Sequence, residues 1–80
     1  MVRIFNIFRD DKKICCNYEP EKSGKIGYIE MTADASQVLN VDYSEYPYAP
    51  KTYVAQVKNK ISDVLKNKET LPEEIYSIWY

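Results

Sequence analysis

Eight tyrosines and no histidine set the chemistry open to this 80-residue chain. Cys15 and Cys16 are its only thiols. Neighbouring strand residues point to opposite faces, so this pair cannot bridge without distortion. A zinc site normally draws on four thiolate or imidazole groups, and only these two residues could supply them. Both cysteines read as small apolar strand residues, one of them buried. The rival reading is a thiol nucleophile. Lys12 and Lys13 stand close enough in sequence to lower a thiol pKa, but no obvious base accompanies them.

Carboxylates and phosphate loops fare no better. Asp10-Asp11 and Glu73-Glu74 fall where exposed turn or helix-start charge is expected, so neither forms a hydrolytic pair. Glu30, Thr32, Asp34 and Ser36 lack the dense oxygen spacing of a calcium loop. Ser23-Gly24-Lys25 lacks the upstream glycine of a phosphate-binding loop. The expectation is of a chain with no catalytic residue, cofactor or metal ligand: a binding protein rather than an enzyme.

The aromatic residues carry more. Tyr43, Tyr46, Tyr48 and Tyr53 fall within eleven residues, interrupted by Pro47 and Pro50. A tyrosine ring offers a large apolar face with a polar tip, which suits half-wet contacts and is common in interface cores. In the plain reading this stretch folds over the edge of the core and packs its rings there. In the sharper one the four tyrosines are a partner-binding surface. Asp42 and Glu45 in the same stretch favour a protein, or a second copy of the chain, over nucleic acid.

Charge is uneven along the sequence although the net charge is −1. Residues 1–29 carry +2, 30–50 carry −4, 51–68 carry +4 and 69–80 carry −3. Lys51, Lys58 and Lys66 line one flank of a basic segment. That flank is the alternative site, in which the chain is a nucleic-acid-binding accessory protein. Charge along a helix is more often its solvated side, and a slightly negative chain argues against phosphate binding as the dominant role.

The elements that must position these residues can be read from periodicity. Strands are predicted over 2–9, 13–19, 25–32 and 37–43, with short connections that favour an antiparallel meander. Alternation places Ile4, Phe8, Ile14, Cys16, Ile26, Tyr28, Leu39 and Val41 on one sheet face, with Tyr43 beside them. Phe5, Ile7, Cys15, Ile29, Met31 and Val38 fall on the other. Val54, Val57, Ile61, Val64 and Leu65 form one helical stripe behind Pro50, which predicts a helix over 50–67. Thr70 and Glu73 have capping-box spacing around Pro72, and Leu71, Ile75, Ile78 and Trp79 share a helical face. A short second helix over 71–79 is therefore expected, with a terminal strand as the rival, since 75–80 is β-prone.

Eighty residues allow one domain with a modest core, and 45% hydrophobic with 29% charged residues is a globular composition. Residues 1–8 are too short and too interrupted by Arg3 and Asn6 for a secretory leader, and nothing reaches the length of a membrane span. The expectation is a cytoplasmic α+β module, with self-association into a homodimer open to it.

Overall fold

The computed structural model describes residues 1–67 and 70–78. Its order is β1 (Val2–Arg9), β2 (Lys13–Pro20), β3 (Gly27–Thr32), β4 (Val38–Asp42), α1 (Pro50–Asn67) and β5 (Glu74–Ser77). The strands form one antiparallel sheet in the order β4-β3-β2-β1-β5, with α1 packed on one face. The α+β class, the four-strand meander and the 50–67 helix stand as expected.

Residues 71–78 do not form the second helix expected over 71–79. Glu74–Ser77 is a strand that pairs with Val2–Phe5 of β1, burying Ile75 and Ser77 and exposing Glu74 and Tyr76. Local capping signals lost to tertiary pairing. The β1 edge offered unmet backbone donors and acceptors, and a period of two let Ile75 reach the core. Ile78, which a helical stripe would have buried, is 64% exposed. Trp79 lies outside the described residues.

Two bulges reset the side-chain phase. In β1 the pairing slips between Phe5 and Phe8, where Asn6 adopts a left-handed φ of 52°. Asparagine tolerates that region, and the extra residue reverses the alternation beyond it. Val2 and Ile4 are buried and Ile7 packs against the core, while Phe8 turns outward. In β4 the register slips between Asn40 and Val38, so Val38 and Val41 both reach the core and Leu39 is left 56% exposed.

Expected faces therefore need correction. Ile29 and Met31 of β3 are fully buried beside Ile14 and Cys16, whereas Tyr28 faces outward and Ile26 lies before the strand. Tyr43 lies just past the end of β4 and is exposed. The helix stripe contributes Val54, Val57 and Ile61 to the core, with Val64 and Leu65 partly buried, and adds Tyr53.

The sheet face away from α1 stays open. It carries Arg3, Phe5, Phe8, Cys15, Asn17, Glu19, Tyr28, Glu30 and Tyr76, as the paired registers require. Its charges pair with each other: Arg3 with Glu74 at 2.9 Å and Lys13 with Glu30 at 3.1 Å. Among the described residues no helix is long and apolar enough to cross a membrane.

Candidate functional site

The β2–β3 connection (21–26) and the β4–α1 connection (43–49) meet at one end of the sheet, and Ser44 joins them. Its N–H donates to the Tyr18 hydroxyl at 3.0 Å, and its own hydroxyl donates to the Lys25 carbonyl at 2.6 Å. The same oxygen accepts from the Tyr46 N–H at 3.1 Å. A buried serine whose N–H and hydroxyl are both engaged fixes two loops at once. Gly27 permits the approach: a Cβ there would lie 2.3 Å from the Tyr18 ring and 2.7 Å from the Ser44 nitrogen. Burial pushes the Tyr18 hydroxyl up, so it stays protonated at neutral pH.

From this anchor a row of tyrosines runs outward. Tyr53 and Tyr46 meet edge to face at 5.6 Å, and so do Tyr46 and Tyr48. Exposure rises along the row: Tyr53 is 7% exposed, Tyr46 is half-buried, and Tyr48 is 69% exposed. Such T-shaped pairs add roughly 0.5–1.5 kcal/mol beyond area burial. The inner end is also tied, since the Tyr53 hydroxyl donates to Glu21 at 2.6 Å. The Met1 ammonium meets the same carboxylate oxygen at 2.7 Å. That ammonium first, and then the Tyr53 hydroxyl, pull the Glu21 carboxyl below its usual range. Burial, then the bond to Glu21, raises the Tyr53 hydroxyl.

Backbone strain gathers at this end. Glu21, Lys22 and Ala49 are three of the five non-glycine residues with positive φ among the described residues. Glu21 and Lys22 form a left-handed pair closed by the Ser23 N–H on the Pro20 carbonyl at 2.9 Å. Each such residue costs about 1–2 kcal/mol, and such strain persists only where surroundings hold it. Here the Glu21 N–H donates to the Met1 carbonyl and the carboxylate is doubly bonded. Ala49 turns the chain into α1, and its carbonyl accepts from the N–H groups of Thr52 and Tyr53.

Of the four tyrosines singled out in sequence, Tyr46 and Tyr48 touch at this end with solvent access, and Tyr43 stands exposed in the same 43–49 connection. Tyr53 is instead a core residue. Ile26, 47% exposed, lies in the neighbouring 21–26 connection, one residue past the Lys25 carbonyl that Ser44 holds. The sequence reading missed it by extending β3 back to residue 25; Gly27 and the preceding loop residues were the available signal. Of the basic set, Lys51 and Lys66 are exposed and Lys58 is half-buried; none forms an ion pair among the described residues.

Other candidate chemistry disperses. Cys16 is buried, and burial pushes its thiol up to about 12, a poor nucleophile. Cys15 lies half-buried on the open sheet face. Asp34 accepts from the Thr32 and Ser36 hydroxyls and the Ser36 N–H. The Ser36 hydroxyl, then that of Thr32, hold it down to about 2, and its acceptors serve to close a turn. A recess of about 310 Å³ opens where β5 begins beside β1, lined by Arg3, Phe5, Asn6, Ile7, Glu73 and Glu74. Its cation is already engaged by Glu74 and by the Phe5 ring 4.1 Å away. Among the described residues no three His, Cys, Asp or Glu side chains converge as a metal site.

Comparison with family models, with curated proteins and with solved structures finds no match.

Proposed function

We propose that this chain is a small non-catalytic binding module that takes a protein partner at its tyrosine end. The observation that carries this reading is the exposure of Tyr48, Tyr43 and Ile26 on loops fixed by Ser44 and the tyrosine row. Rigid aromatic side chains lose little conformational entropy on docking, so they serve as interface anchors. A partner captured with the wild-type chain should lose roughly 30-fold or more in affinity on Tyr43→Ala with Tyr48→Ala, the scale of an interface hot spot. Phe8→Ala with Tyr76→Ala, on the open sheet face, should leave affinity within about threefold. The reverse pattern would move the site to the sheet face. Exposure of all four residues keeps both variants folded.

A further inference from the structure

We propose that the segment docking at the tyrosine end is acidic. Carboxylates of a protein partner meet Lys22, Lys25 and Lys51, while its interleaved apolar side chains meet Ile26, Tyr43 and Tyr48. This rests on the reading of that end as the docking surface and adds the chemistry of its occupant.

Three lysines reach the same end by independent routes. Lys22 follows Glu21, whose carboxylate is held by Tyr53 in the first turn of α1. Lys25 is fixed by its carbonyl on Ser44, next to Tyr43. Lys51 is three residues beyond Tyr48, at the start of α1. All three are exposed, and none forms an ion pair among the described residues. Two carboxylates at this end are already held: Glu21 by the Met1 ammonium and the Tyr53 hydroxyl, and Glu19 by the Gly24 N–H and Arg3. Glu45 and Asp42 remain, so among the described residues three lysines without an ion pair stand against two such carboxylates, and the positive charge is not continuous.

That interruption decides the class of partner. A nucleic-acid strand presents phosphate at every step and favours an unbroken basic track. Glu45 and Asp42 beside the exposed rings would repel such a backbone. A protein segment can place discrete carboxylates opposite three separate lysines and leave gaps opposite the two acids. Steering by these lysines would raise the encounter rate, while the rings would set the residence time. The left-handed backbone at Lys22 fixes where that charge is presented.

The test is a chemical-shift titration of the full chain with a short peptide alternating glutamate and leucine. Parallel titrations use the same peptide with glutamine for glutamate, and an oligothymidylate. The expected result is shifts at Lys22, Lys25, Tyr43, Tyr48 and Lys51 with the acidic peptide. Affinity should fall roughly tenfold in Lys22→Gln with Lys25→Gln and Lys51→Gln. Lys58→Gln with Lys66→Gln should change affinity less than about twofold, because those lysines lie roughly 10 and 22 Å further along the helix. Equal loss in that control pair would replace the local site with a general field and overturn the proposal. Equally tight binding of the glutamine peptide at the same tyrosines would overturn acidic recognition yet leave the docking surface standing. Tighter binding of the oligothymidylate would overturn the choice of protein. Shifts confined to Phe8, Cys15 and Tyr76 would overturn both readings.

Discussion

Cys15 and Cys16 differ by one position and by most of what governs a thiol. Cys16 is 1% exposed, paired in register with Ile29, and its thiol is raised to about 12 by burial. Cys15 faces the open side beside Phe8 and Glu30. Iodoacetamide should therefore modify one thiol in the native chain and two in urea, counted by mass. Equal labelling of both in the native state would place β2 in the wrong phase. Cys16→Ser should cost about 1–3 kcal/mol by burying a hydroxyl, and Cys15→Ser less than about 0.5. This division was legible in sequence, because adjacent strand residues must diverge. Which tyrosines would stay wet was not. Tyr53 and Tyr48 share a composition and a neighbourhood, and only the turn at Ala49 decides which ring enters the core.

At the scale of elements, periodicity located every strand of the meander and both ends of α1. It failed wherever a bulge changed the count. Asn6 and Leu39 each insert one residue, and each reverses the side-chain alternation beyond it, so Phe8 and Leu39 point outward against expectation. β5 escapes the periodicity argument for another reason. Thr70, Pro72 and Glu73 are sound helix-start signals, but they say nothing about the unpaired edge of β1 that captured Glu74–Ser77. The packing of α1 has a direct check. Ile61 is fully buried mid-stripe, so Ile61→Ala should lose roughly 2–5 kcal/mol in urea unfolding. An unchanged midpoint would mean that α1 does not pack on the sheet.

Across the whole molecule, acid should weaken the fold. Asp10, Glu21, Glu30, Asp34 and Glu74 all have carboxyls held below their usual range by hydrogen bonds and neighbouring cations. Groups with depressed folded pKa bind fewer protons when folded. Their stabilisation is present above roughly pH 4–5 and fades as pH falls through the lowered values. For Glu30 the causes are the Tyr28 hydroxyl at 2.7 Å, then Lys13 at 3.1 Å. The difference in urea midpoint between wild type and Glu30→Gln should be largest near neutrality and should shrink toward about pH 2–3. A difference independent of pH would show that the Glu30 charge contributes nothing.

Among the described residues, one sheet face stands open with its Arg3–Glu74 and Lys13–Glu30 ion pairs, and at one end exposed tyrosines stand near lysines that form no ion pair there. The most direct measurement places a photocrosslinking phenylalanine derivative at Tyr48, Tyr43, Tyr76 or Phe8 in the living source cell. All four positions are 49–69% exposed, so reagent access is comparable. A discrete protein adduct is predicted from positions 48 and 43 and none from 76 and 8. Adducts arising only from positions 76 and 8 would contradict the assignment of the tyrosine end.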